Sequence, residues 1–350
     1  MRIQDIKLTP LMDTLQLLKI DDATYFSSKY SSYISNSRLG LLNPKQDGSP
    51  EKFFEGFKSG GFNQSFALGS AVHELVLQPE YFELAPDMGK PTAKLGAMAD
   101  ELFKVYLQKD ITKNDIIKAS DIVDYYKGKI TDDRFKDVVT KCTPYWEQRK
   151  KEVLDISQNK EMIYLDHKSR EITISCVESL KSNKYAMDLL HPTGIVEDPI
   201  VGNEQAILLD VQAVAPNGET TILHLKSKLD NYTIDTETNT ITVNDVKTIG
   251  NIVSAITDNI KRFHYSRELA MYLYLLKLCA AKFYNLENPK IQANYLVVST
   301  VPNFYSSVKP AEMDDLLYGF KEFKVLLQYT AHLIFNNNYS LDGATTKYKL

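Results

Sequence analysis

Between residues 204 and 248 the chain alternates three runs rich in β-branched residues with two short turn signals. The runs are 204-EQAILLDVQAVA-215, 220-TTILHLKSKLDNYTID-235 and 240-TITVNDVKT-248, with PNG and TETN between them. Turns this short join neighbours that run in opposite directions, so the spacing predicts an antiparallel meander. The apolar run 291-IQANYLVVST-300 predicts a further, buried strand. Between them, residues 251–284 read as a long helix broken near Lys261–Tyr265, and a last amphipathic helix is expected from about Pro310 to Phe335. Strands followed by helices and then another strand imply an α/β class with a mixed sheet flanked by helices.

The first half reads differently. Leu11, Leu15 and Leu18 stand at helical spacing, so the opening segment to about Asp22 is expected to be helical. Ser35 or Asn36 should cap a short helix over Leu39 to Leu42, which Pro44 stops. In 68-LGSAVHELVLQPEYF-82 the apolar positions fit a helix ended by Pro79, with His73 one turn beyond Gly69. Residues 92–190 are mostly helical and charged, interrupted by a small hairpin over 162-MIYLDHKSREITIS-175 with DHKSR as its turn. The expected organisation is a mostly helical region over residues 1–190, forming one composite domain with a core over 191–335, and a loose tail over 336–350.

Composition narrows the classes. The chain is 43% apolar and 25% charged, and no apolar run approaches the ~20 residues of a membrane span. The first residues lack a secretory pattern. Cys142, Cys176 and Cys279 form no CxxC pair, which suits a reducing, cytoplasmic compartment and opposes a zinc knuckle or a four-cysteine iron–sulfur cluster. A net charge of −4 disfavours a protein that coats nucleic acid. Any nucleic-acid role must rest on a local basic groove or on metal ions that screen phosphates.

The chemistry-bearing residues gather in the meander. Asp245 and Lys247 are two apart on one strand and so share a face. Alone, such a pair is an exposed ion pair of little worth. Asp230, on the preceding strand, can be folded back toward Asp245, although sequence does not fix the register. Two carboxylates can hold a hard cation such as Mg²⁺ or Mn²⁺, and a lysine beside them can position or deprotonate an attacking water. That combination suits cutting a phosphodiester. His224 in 224-HLK-226 stands where an acid would be needed, so this imitation of the acid-x-lysine pattern is set aside. Asp210 is a rival ligand only in another register. Lys226 and Lys228 read as basic residues leading into Asp230 and able to touch phosphate. Lys261 and Arg262 are either solvated helix charges or phosphate contacts. Tyr265, Tyr272 and Tyr274 fit core packing as well as a site wall.

SKLDNYTID followed by ITVNDVKT resembles the signature of the PD-(D/E)XK nuclease superfamily, whose restriction-endonuclease-like fold carries D…[DE]-x-K at the ends of adjacent strands. YISNSRLGLLNP with SPEKFF, LGSAVHELVLQPEYF and YSRELAMYLYLL are similar, in that order, to elements of its phage-type branch related to the RecE exonuclease (exonuclease VIII). The resemblance implies Asp230, Asp245, the Val246 carbonyl and His73 as metal ligands, Lys247 as the catalytic lysine and Glu204 as a further carboxylate. Tyr265 and Tyr272 would line the site. Glu268 departs from the family's glutamine and would be an added ligand, a recruiter of a second cation or a sign of drifted activity. The implied function is a Mg²⁺- or Mn²⁺-dependent deoxyribonuclease, an exonuclease of phage recombination or repair in the host cytoplasm. Its implied partners are DNA, a recombination or annealing protein and further copies of the chain. The alternatives are a weakened relative that binds DNA or a recombination partner, and a virion-associated structural protein.

Overall fold

A computed structural model describes residues 2–56, 64–126, 129–153, 160–192 and 200–336. The chain runs through strand β1 (Lys7–Leu18) and helices α1 (Asp22–Tyr25), α2 (Asn36–Leu42), α3 (Pro50–Glu55) and α4 (Gln64–Leu77). It continues with strand β2 (Phe82–Leu84), helices α5 (Ala93–Tyr106), α6 (Lys113–Val123) and α7 (Asp132–Val153), strand β3 (Glu161–Ile163) and helices α8 (His167–Ser182) and α9 (Lys184–Leu190). Strands β4 (Ile200–Val214), β5 (Thr220–Asp235) and β6 (Thr240–Ile249) follow. Helices α10 (Ile256–Phe263) and α11 (Tyr265–Tyr284), strands β7 (Lys290–Ser299) and β8 (Ser306–Pro310) and helix α12 (Met313–Phe335) complete it. Two packed units result: Met1–Phe57 with Asn183–Val297 and Ser307–Leu350, and Lys58–Ser182 with Val298–Ser306.

The fold of the first unit is α/β, with a six-stranded sheet in the order β1-β4-β5-β6-β7-β8. The expected meander is present, with β4, β5 and β6 antiparallel in sequence. The Lys290 N–H donates to the Asn239 carbonyl, and the Asn294 and Asn244 amides bond farther along, so β7 runs parallel to β6 and the sheet is mixed. A three-strand meander, helices and a parallel strand make up the expected mixed sheet flanked by helices. α11 and α12 cross closely because Gly319 has no side chain. A Cβ there would lie 2.2 Å from the Ser266 carbonyl oxygen at the start of α11. The apolar faces of these helices meet the sheet around Leu229, Val243, Leu269, Leu276, Val297 and Phe323.

The second unit packs α5, α6 and α7 around Met98, Tyr145 and Trp146, whose indole N–H donates to the Ala99 carbonyl at 2.9 Å. Short strands β2 and β3 pair in parallel. Asp100 takes Lys90 at 2.5 Å, Arg149 at 3.0 Å and the Tyr145 hydroxyl at 2.6 Å.

Two expectations are corrected here. The opening segment is not helical but forms the edge strand β1. Its register against β4 jumps between Leu11 and Gln16, and Thr14 Oγ1 in that bulge donates to the Leu11 carbonyl and accepts the Asp210 N–H. A bulge breaks the two-residue alternation and leaves leucine spacings that imitate a helix, and Pro10 is tolerated because β1 is an edge. The hairpin over 162–175 is also absent. Its first residues belong to β3, and DHKSR starts α8, with Asp166 accepting the Ser169 N–H at 3.2 Å and the Ser169 hydroxyl at 2.8 Å. An aspartate in this position ends a loop by capping a helix, so the apparent turn is a helix start. Strand β8 was not anticipated. Residues 337–350, expected to be a loose tail, lie outside the described residues. No helix among the described residues is long and apolar enough to cross a membrane.

Candidate active site

The site begins where β5 and β6 part company. Their pairing runs from Asp235/Thr240 to Asn231/Asn244. Beyond that point the Ile34 N–H and carbonyl take the His224 carbonyl and the Lys226 N–H of β5. The separation leaves the Val246 N–H without a strand partner, and Asp230 Oδ2 accepts it at 2.8 Å. Continuing the register by one residue sets Asp230 opposite Asp245 on one face. The two asparagines point to the other face.

Asp245 is fully buried, and Asp230 is nearly so. Lys247, two residues along, donates from Nζ to Asp245 Oδ1 at 2.8 Å and to Glu268 Oε2 at 3.0 Å. Tyr272, one turn along α11, donates its hydroxyl to Glu268 Oε1 at 3.2 Å. The Tyr265 ring lies under the ammonium, 4.8 Å from centroid to nitrogen. Asp245 Oδ2 is buried and receives no hydrogen bond.

Glu204 arrives from β4. A carboxylate oxygen of Glu204 lies within 4.8 Å of one from Asp230. Its φ of +50° is left-handed, a conformation uncommon outside glycine. Such strain persists where surrounding contacts hold it, and it clusters at working sites. Lys228 supplies one such contact, reaching Glu204 Oε2 at 2.8 Å and Asp22 Oδ1 at 2.5 Å.

Electrostatics follow from burial. Burial pushes the Asp230 carboxyl up to about 7; Glu204 and Glu268 add to the rise, while Lys247 and the Val246 N–H oppose it. Burial likewise raises Asp245 well above the carboxylate range, against Lys247 and helped by Glu268 and Asp230. Burial pulls Lys247 down, but Asp245, Glu268 and Asp230 outweigh it and hold its proton well above the usual lysine range. Burial foremost, then Glu268, lifts the Tyr272 phenol.

A pH prediction follows from Asp230. The native state binds its proton more tightly than the unfolded chain, whose aspartates titrate near 4. Ionised Asp230 therefore costs stability: the cost is absent below about pH 4, grows through the window and is complete above about 7. In chelator, the melting temperature of Asp230→Asn relative to wild type should rise as pH goes from about 4.5 to about 7.5. A difference flat across that range contradicts the assigned burial cost.

The remaining sequence candidates are placed as follows. Lys226 is buried and donates to the Tyr25 carbonyl at 2.9 Å; burial, then Arg38, lowers its pKa to about 8. Lys228 is engaged by Asp22 and Glu204 as above. Lys261 and Arg262 are exposed at the end of α10. Val246 is buried beside Asp245. His73 is half-buried on α4, in the second unit. Asp210 is engaged by His224 at 2.7 Å, an ion-pair geometry apart from the carboxylates above.

Sequence reading missed the supports. Asp22 is the second anchor of Lys228. The start of α11 is pinned by Arg267, buried and donating to Asn36 Oδ1 at 2.8 Å, and by His264, 2.8 Å from Glu322. Behind the carboxylates runs a ladder of amides. Asn231 donates to Asn203 at 2.7 Å, Asn244 to Asn231 at 2.7 Å and Asn294 to Asn244 at 2.9 Å. One signal was available: 230-DN-231 and 244-ND-245 are mirror dipeptides, and antiparallel strands pair such dipeptides acid to acid and amide to amide.

No family model matches this sequence, and no curated protein matches it. Among solved structures, one from Eubacterium rectale, of a protein provisionally called an exonuclease, is similar at 11% identity over 92% of this chain and 89% of that chain, with a TM-score of 0.45.

Proposed function

We propose that this protein is a divalent-metal-dependent deoxyribonuclease, an exonuclease serving phage-type recombination or repair. The observation that carries the reading is Asp245 Oδ2, a buried carboxylate oxygen with no donor, on the face it shares with Asp230. A buried acceptor left unmet costs ~1–3 kcal/mol and more once the group ionises, which is why burial raises the Asp245 carboxyl when no ion is bound. Around it, ion pairs set Lys228 against Glu204 and Lys247 against Asp245 and Glu268, so among these residues the carboxylates outnumber the ammonium groups. A divalent cation removes both imbalances, and an oxygen-rich donor set suits Mg²⁺ or Mn²⁺.

Asp230, Asp245, Glu204 and the Val246 carbonyl would hold the ion. Bound there, the ion would offset charge growing on a phosphate and acidify water. Lys247, held protonated by its carboxylate neighbours, would act as a positive charge beside the ion. It can donate to a phosphate oxygen or to the attacking oxygen and stabilise negative charge in a dry setting. Tyr265 and Tyr272 limit its movement. Lys261 and Arg262 offer exposed charge to a phosphate backbone.

The test is digestion of linear DNA by the full chain with Mn²⁺ against chelator. Cation-dependent release of nucleotides supports the reading. Cation and DNA binding without cleavage would favour a weakened binder instead, a reading that the double hold on Lys247 by Asp245 and Glu268 supports. Glu268→Gln separates the two roles of Glu268. Activity is expected to stay within about tenfold of wild type, with the alkaline limb of the pH profile moved to lower pH as Lys247 loses one carboxylate. A loss far beyond that in the pH–rate profile would make Glu268 a ligand.

A further inference from the structure

Phe26 follows the one-turn helix α1, and its backbone N–H is fixed by the Asp22 carbonyl. It is 71% exposed, which for one phenylalanine alone is ordinary. Its surroundings are not. The ring stands edge-to-face on Tyr25, centroids 5.0 Å apart and planes at 86°. Tyr25 is buried, and its phenol is raised by burial first, then by Asp22 and Glu268, so it borders the lysine–carboxylate cluster. The Lys226 ammonium sits 4.5 Å from the Tyr25 centroid and 5.7 Å from that of Phe26. Two residues along β5, Lys228 holds Asp22 of α1 and Glu204 of the site. The ring therefore rests on Tyr25 and near Lys226 while most of its surface stays open to solvent.

Resting on the nuclease reading above, we propose that Phe26 is a stacking platform for an unpaired nucleobase adjoining the phosphate at the carboxylates, so that the strand is taken single-stranded or frayed at its end. A ring that already rests edge-to-face on a buried neighbour has less freedom to lose when a base lies on it. Stacking on an aromatic face tolerates any base, as an enzyme digesting arbitrary sequence requires.

The experiment is equilibrium binding of an oligothymidylate in chelator, which prevents cleavage. Phe26→Ala should weaken binding by about tenfold, in the range that one base stacked on one aromatic contributes. An otherwise identical strand of abasic sites should bind wild type and Phe26→Ala alike. Phe26→Trp adds a reporter to a chain whose one natural tryptophan, Trp146, is fully buried. Its fluorescence should be quenched by the oligothymidylate and not by the abasic strand. Unchanged affinity in Phe26→Ala, an equal loss on the abasic strand, no quenching or no DNA binding at all each overturns the platform. Because no step needs cleavage, a chain that passes this test but never cuts DNA loses the nuclease reading and keeps the platform.

Discussion

Replacing Lys247 with alanine is expected to lower DNA cleavage at saturating Mn²⁺ by about 10³-fold, the scale of removing one preorganised charge from a developing anion. The same substitution should tighten Mn²⁺ binding. Lys247 neutralises Asp245 and Glu268 directly, at 2.8 and 3.0 Å, and a cation at the carboxylates repels it. Removing the ammonium leaves more negative charge for the ion. Isothermal titration calorimetry and single-turnover cleavage on the same preparation would show the two effects moving in opposite directions. A merely structural ion pair predicts otherwise: lower stability, no gain in ion affinity and no loss of cleavage beyond the unfolded fraction. The melting temperature in chelator should fall as well, since two carboxylates lose their shared partner, and added Mn²⁺ should restore most of it. Cleavage that survives the substitution would remove Lys247 from the mechanism.

Much of the working half of the molecule could be read from local rules, because local rules decide it. PNG and TETN permit only short connections, and β-branched runs between them have few places to go, so β4, β5 and β6 fall within a few residues of expectation. The break before Tyr265 follows from His264, which takes a left-handed φ of +56° between α10 and α11. Ser35 caps α2 as its hydroxyl chemistry dictates, accepting the Arg38 N–H. What escaped depends on partners distant in sequence. Nothing in 29-KYSSYISNSR-38 shows that Ile34 will take the β5 edge that β6 leaves, yet that exchange opens the space beside Asp230. Lys226 resembles a solvent-facing base in its strand, but Tyr25, some two hundred residues earlier, buries it. The bulge at Thr14 is set by β4, so periodicity alone assigned β1 to the wrong class.

The second large effect concerns the amides behind the carboxylates. Asn244 is fully buried; it donates to Asn231 Oδ1 and to the Leu189 carbonyl at 3.2 Å and accepts from Asn294. Asn244→Ala strands an acceptor on Asn231, a donor on Asn294 and the Leu189 carbonyl at the end of α9. At ~1–3 kcal/mol for each buried group left unmet, and with partial relaxation, a loss of about 3–5 kcal/mol is expected. Denaturant titration followed by far-ultraviolet circular dichroism would measure it. The cost should be non-additive: adding Asn231→Ala removes one orphaned acceptor, so the double variant should be more stable than the sum of the singles implies. The ladder also bears on the site. Sliding β6 by one residue would carry Asp245 to the other face and set Asn244 opposite Asp230. Amides that bond only in register oppose that slip where an apolar pair would allow it. Mn²⁺ affinity should therefore fall in Asn244→Ala at temperatures where the variant is still folded. A loss below about 1 kcal/mol, or strict additivity with Asn231→Ala, would mean that water satisfies these amides and that packing alone holds Asp230 opposite Asp245.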